Sequence, residues 1–132
     1  LLPALTLVQA ENGGSLNQEL VEAVADYLQI PAIAAFEAAT FYSMYDMKSV
    51  GRHKIHVCTN LSCMLCGSEK IMAHIEQKLG IKVGETTSDG KFSLCGVECL
   101  AACVGAPMMR VDDTYHEKLT PEQVDSILDS LE

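Results

Sequence analysis

Phosphate-binding motifs, long apolar runs and basic residues are missing or scarce in this sequence, and each shortage excludes a class of function. No G-x-G-x-x-G and no G-x-x-x-x-G-K-S/T occurs, so the chain offers no nucleotide site of its own. Lys and Arg total 9 against 18 Asp and Glu, for a net charge of −9. So acidic a chain lacks the cations that a nucleic acid partner requires, and most of the charge reads as solubility. Uncharged runs such as Tyr27–Phe36 and Cys99–Met109 fall well short of the roughly 18 residues of a membrane span, so no direct membrane insertion is expected. Leu1–Ala10 has no basic leader and does not read as a signal peptide. Without an export signal the expected compartment is reducing, where clustered cysteines mean metal or redox chemistry rather than structural disulfides. No internal repeat and no low-complexity segment is present.

The chain has 132 residues, of which 48% are hydrophobic. That is about one domain's worth and ample for a packed core. Residues 1–50 read as a small helical bundle. Leu2, Leu5 and Val8 recur at threes, consistent with a short or truncated first helix. Asn12-Gly13-Gly14 is a turn. Asn17 suits the N-cap of a second helix, with Leu16 stapled onto Val21 and an apolar face of Leu20, Val21, Val24 and Leu28. Pro31 suits the first turn of a third helix, which carries Ile33, Phe36 and Ala39 or Thr40 and runs on towards Tyr42-Ser-Met44. No titratable pair in this half looks catalytic, and its Phe, Tyr and Met residues read as core or domain packing.

The pattern changes after Val50-Gly51, and residues 51–132 form the second unit. Lys54–Cys58 alternates as a strand does. Ser68–Leu79 reads as a helix with Ile71, Ile75 and Leu79 on one face, Ser68 as its cap and Gly80 as its stop. Asp89-Gly90 predicts a hairpin between Glu85–Ser88 and Lys91–Leu94. Met108–Val111 and Tyr115–Lys118 read as short strands, and Thr120-Pro-Glu-Gln123 is a capping box opening a final helix that buries Val124, Ile127, Leu128 and Leu131. The order is close to β-α-β-β-β-α.

All six cysteines lie between positions 58 and 103, and spacing alone admits four readings. Cys58, Cys63, Cys99 and Cys103 give C-x4-C and C-x3-C on two loops, a four-thiolate set suited to an iron–sulfur cluster. Gly67, Gly96 and Gly105 could bring backbone N–H groups close to such a charge. Cys58, Cys63, Cys66 and Cys95 instead match the plant-type ferredoxin spacing, although Leu61, Met64 and Leu65 fill a loop that is normally built of small residues. Cys63-Met-Leu-Cys66 could be a redox dithiol. Cys63, Cys66, Cys99 and Cys103 could hold structural zinc.

Three segments carry a resemblance that spacing does not. Ala39-Thr-Phe-Tyr-Ser-Met-Tyr45, Val57-Cys-Thr-Asn-Leu-Ser-Cys63 and Glu98-Cys-Leu-Ala-Ala-Cys-Val-Gly-Ala-Pro-Met108 resemble the 24-kDa-type subunit (the E type of bacteria) of NADH:quinone oxidoreductase, respiratory complex I. The likeness extends over essentially the whole chain, including Leu119-Thr-Pro-Glu122. It implies an α/β fold, a thioredoxin-like [2Fe–2S] ferredoxin domain preceded by a small helical bundle. It implies one [2Fe–2S] cluster on Cys58, Cys63, Cys99 and Cys103. It also implies a partner subunit that carries FMN and the NADH site, with other peripheral-arm subunits nearby. The implied location is cytoplasmic, or the cytoplasmic side of the inner membrane in bacteria, and the matrix side in mitochondria. NAD-linked hydrogenases and formate dehydrogenases use similar subunits and stay open as alternatives, as does a stand-alone zinc or thiol redox module. The family usually has glycine where Ala101 stands, and cysteine is not expected at Cys66 or Cys95.

The remaining candidates have plainer readings. His56 alternates with Cys58 and could tune a metal site, though a solvated strand histidine is commoner. His53, His74 and His116 do not offer a Rieske-type pair. Pro107 could be cis, but a trans turn proline is the ordinary expectation. Asp112-Asp113 and Glu122 with Asp125 read as turn and helix-face charges.

Overall fold

A computed structural model of the chain describes residues 1–131, which divide into two compact units between Val50 and Gly51.

The first unit contains α1 (Leu2–Glu11), α2 (Gln18–Leu28) and α3 (Ala32–Phe41). The Asn17 side chain caps α2 by accepting from the Leu20 N–H at 2.9 Å. Leu16, Val21, Val24, Ala25, Leu5, Ala35, Ala39 and Tyr45 form the core. The buried positions of α3 are Ala35 and Ala39, which let helices approach closely; Ala39 belongs to the expected apolar face, and Phe36 of that face packs partly buried against the core. Ile33 is exposed, and α3 stops at Phe41 instead of running on to Met44. The chain turns there to bring Tyr45 back under α1, where its hydroxyl donates to the Leu2 carbonyl at 2.9 Å. Gln9 ties the same return segment from both ends of its amide, donating to the Met44 carbonyl and accepting from the Asp46 N–H. The reading of the aromatic and Met residues as core holds for Tyr45. Phe41, at 81% exposure, and Tyr27, at 84%, lie outside that core.

The second unit is a four-stranded sheet, in order β2-β1-β3-β4. Its strands are β1 (His53–Cys58), β2 (Phe92–Val97), β3 (Met109–Val111) and β4 (Thr114–His116). β1 and β2 are parallel, joined through α4 (Leu61–Leu65) and α5 (Ser68–Leu79), as a parallel pair requires a crossover. β3 and β4 add antiparallel. α6 (Pro121–Ser130) closes the unit with the expected capping box at Thr120 and Gln123. Ile55, Val57, Leu94, Met109 and Val111 share one sheet face and pack with Ile71, Ile75, Val124 and Leu128 of α5 and α6. The other face carries a row in register: Cys95, His56, Arg110 and Tyr115.

The predicted hairpin forms, its turn closed by the Gly90 N–H donating to the Thr87 carbonyl at 2.8 Å. The Thr87 N–H donates to the Phe92 carbonyl at 2.8 Å and the Leu94 N–H to the Glu85 carbonyl at 3.1 Å, on either side of the Thr86–Ser93 bridge, while the other edge of β2 pairs with β1. Glu85-Thr-Thr-Ser88 has no apolar side chain to bury, and its polar groups are used locally. Thr86 Oγ1 meets Ser93 Oγ at 2.6 Å, and the Glu85 carboxylate accepts from the Lys82 N–H. The Ala106–Pro107 peptide is cis, not the trans form expected. No helix among the described residues is long and apolar enough to cross a membrane.

Candidate metal centre

Both cysteine loops leave the C-terminal ends of adjacent parallel strands. Cys58 is the last residue of β1 and stands opposite Val97, the last residue of β2. From β1 the chain turns at Asn60, whose side chain caps the short α4 at 2.7 Å, and Cys63 falls in the first turn of that helix. From β2 the chain enters an irregular loop bearing Cys99, and Cys103 begins a single 3₁₀ turn, Cys103–Gly105. Cys58 and Cys63 are buried together with Met108, lined by Leu100, Ala102 and Ala106. Cys99 and Cys103 are exposed.

Burial and backbone N–H groups act on these sulfurs in opposite directions. Burial alone would push the Cys58 thiol up, but the backbone N–H groups of Asn60 and Leu100 and the Cys63 side chain outweigh it and hold Cys58 below its ordinary value. Burial, and then Cys58, push the Cys63 thiol up to about 11, with the Met108 N–H working against them and the charge of Cys103 adding to the rise. The Ala101 N–H donates to Cys99 Sγ at 3.3 Å. Both loops thus bear on one buried cluster, in which Cys58 and Cys63 of the first loop pack with Leu100 and Ala102 of the second.

These donors come from residues that sequence reasoning missed. The expected glycines are used elsewhere: Gly67 caps α5, Gly96 lies within β2, and the buried Gly105 accepts at its carbonyl from the Lys118 N–H. A signal was available in part, since Asn60 and Ala101 each stand two residues after a cysteine.

Cys66 is exposed at the C-cap of α4 and lines a groove with Pro107, Leu119 and Pro121. Cys95 sits within β2 opposite His56. His56 is half-buried, with Nδ1 3.4 Å from Arg110 Nη2, rather than a solvated strand residue. His53 and His74 face the carboxylates of Asp112 and Asp125 at 2.7 and 2.8 Å.

No three His, Cys, Asp or Glu side chains among the described residues converge on a point suited to one metal ion. A [2Fe–2S] unit divides four ligands between two irons and asks for no such convergence. Thiol donors, an apolar lining and N–H groups aimed at sulfur fit that group.

Comparison with known proteins agrees with this chemistry. The sequence pattern of the family described as thioredoxin-like [2Fe–2S] ferredoxin matches residues 1–132. The E-type NADH-quinone oxidoreductase subunit of Rickettsia bellii is 49% identical over 131 residues, covering 99% of this chain and 78% of the relative. The E-type subunit numbered 2 in Rhizobium meliloti is 45% identical, covering 98% and 77%. Among solved structures, the NAD+-reducing [NiFe]-hydrogenase in the air-oxidized state superposes with a TM-score of 0.81 at 16% identity. It covers 96% of this chain, which spans 22% of that one, and the likeness is one of fold. The chain belongs to the thioredoxin-like [2Fe–2S] ferredoxin family, in the group of E-type NADH-quinone oxidoreductase subunits.

Proposed function

We propose that Cys58, Cys63, Cys99 and Cys103 hold one [2Fe–2S] cluster, and that the chain is an electron-transfer subunit of an NADH:quinone oxidoreductase. It exchanges single electrons with the flavin of a partner subunit that oxidises NADH. The observation that carries this reading is the meeting of the two loops in one buried cluster, where Cys58 and Cys63 pack with Leu100, Ala102 and Met108.

When bound, the cluster supplies a one-electron couple whose potential follows hydrogen bonding to its sulfurs and exposure to solvent. The chain's residues supply both controls. The N–H groups of Asn60, Leu100, Ala101 and Met108 favour negative charge on the thiolates. Cys58, Cys63 and Met108 keep one side dry. Exposed Cys99 and Cys103, with Val104 at 96% exposure beside them, place the other side at the surface, where a partner's redox group can approach. Exposed Leu7, Tyr27, Ile33, Phe41 and Met44 on the helical unit support a docking role for it within the peripheral arm. In a bacterial host that arm lies on the cytoplasmic side of the inner membrane.

A substitution series tests the ligand set. Cys99→Ser is expected to abolish the iron, the acid-labile sulfide and the resonance of the dithionite-reduced two-iron centre, while Cys66→Ser and Cys95→Ser keep all three. The opposite pattern, or a colourless zinc-loaded chain from anaerobic purification, overturns the assignment.

A further inference from the structure

The loop that carries Cys99 has no regular secondary structure between β2 and the 3₁₀ turn, so something other than a helix or a sheet ladder must fix its peptide planes. Within it, Ala101 adopts φ +56°, a left-handed conformation that costs an L-residue free energy. A flip of the Leu100–Ala101 peptide would change that φ and relieve the cost. It would also turn the Ala101 N–H away from Cys99 Sγ, which it reaches at 3.3 Å.

The opposite end of that same peptide is held. The Tyr115 hydroxyl donates to the Leu100 carbonyl at 2.9 Å. A trans peptide is planar, with its C=O and N–H pointing in opposite directions. One rigid plane therefore has Tyr115 on its oxygen and a cysteine sulfur on its hydrogen. Accepting at the carbonyl also polarises the amide, making its N–H a stronger donor.

Tyr115 is itself fixed by the backbone. It lies in β4 opposite Arg110 of β3. The chain that follows continues along the second loop as a strap: the Lys118 N–H donates to the Gly105 carbonyl at 2.7 Å and the Leu119 N–H to the Pro107 carbonyl at 3.0 Å. Tyr115 is the side-chain member of this strap and meets the loop between its two cysteines.

We propose that Tyr115 is a positioning residue for electron transfer. By holding the Leu100 carbonyl it locks the Leu100–Ala101 peptide, keeps the Ala101 N–H on Cys99 Sγ, and so sets the reduction potential of the bound cluster. The inference rests on the ligand set proposed above. An N–H donor at a thiolate favours the reduced, more negative state, so its loss lowers the potential.

The test uses the full cluster-loaded chain with Tyr115→Phe, Ala101→Gly and the double substitution. Iron content, midpoint potential by redox titration, and hydrogen exchange of the segment containing Ala101 are read for each. Tyr115→Phe is expected to keep the wild-type iron content, lower the midpoint potential and speed exchange of the Ala101 amide about tenfold. In the Ala101→Gly background, where no strained φ drives the flip, the drop in potential is expected to shrink, a coupling that the double-mutant cycle isolates. An unchanged or raised potential on Tyr115→Phe, or an undiminished drop on Ala101→Gly, overturns the proposal. If the wild-type chain itself holds no cluster, the ligand reading fails, and the exchange rates alone still decide whether Tyr115 locks the peptide.

Discussion

Ala101→Gly is expected to stabilise the second unit. At φ +56° an alanine pays the left-handed penalty of about 1–2 kcal/mol. Glycine removes that penalty but gives the unfolded chain more freedom, which costs about 0.4–1 kcal/mol. The methyl group is exposed, so its removal opens no cavity. The net gain is about 1 kcal/mol, or about 4–8 °C in Tm for a domain of this size. The assay is thermal unfolding of the full chain by far-UV circular dichroism, with iron content matched between variants. Ala101→Val serves as the opposing control, because a β-branched residue at positive φ is a genuine outlier and is expected to lower Tm. Equal melting of the glycine and valine variants, or a lower Tm for glycine, would show that the loop does not hold residue 101 in the left-handed region.

Two further outcomes follow from packing and charge. A Cβ at Gly51 would lie 2.7 Å from the Phe92 carbonyl carbon and 2.9 Å from the Phe92 nitrogen. Backbone cannot yield as a side-chain tip does, so Gly51→Ala is expected to cost about 1–3 kcal/mol. An unchanged Tm would refute this. Asp125 lies between α6 and α5, where a hydrogen bond from His74 and then the Lys78 ammonium hold its carboxyl below the usual range against partial desolvation. A depressed folded-state value stabilises above the unfolded value of about 3.9 and is lost as pH falls through the folded one. Asp125→Asn is therefore expected to melt lower than wild type near pH 6, with the gap closing below about pH 4. A gap of equal size at both pH values would sink the ionic explanation.

What could be read from the residues alone depended on how local the cause was. The capping atoms of α2 and α6 are side chains a few residues from the groups they serve, so Asn17 and Thr120 marked those helices. Ser68–Leu79 repeated its apolar residues every turn and ended at glycine, and α5 has those bounds. The Asp89-Gly90 turn signal is equally local, and the chain does fold back there to pair Glu85–Thr87 with Phe92–Leu94. In the helical unit the apolar pattern could not tell inward from outward. α3 is apolar almost all round, and only its packing on α2 selects the alanines for the core. The thiol set could not be chosen from spacing, because the parallel register that sets Cys58 beside Val97 joins strands separated by a long crossover. The N–H donors around the sulfurs were illegible for a related reason: an amide carries no side-chain identity, and its direction depends on dihedrals such as that of Ala101.

The parallel pairing of β1 with β2 has one more consequence. In the proposed ligand set, neither cysteine loop makes a metal site by itself. The first loop gains its neighbour only when α4 and α5 have carried the chain back to lay β2 alongside β1. The crossover is therefore the hinge on which the site is assembled, and a peptide copied from either loop would reproduce its cysteines but not the place where they meet. Sliding β2 by one residue would turn its side chains to the opposite face and carry Cys99 about 3.3 Å along the strand axis, away from the register that packs Leu100 against Cys58 and Cys63. The edge of a sheet here acts as a ruler for chemistry that takes place beyond its end.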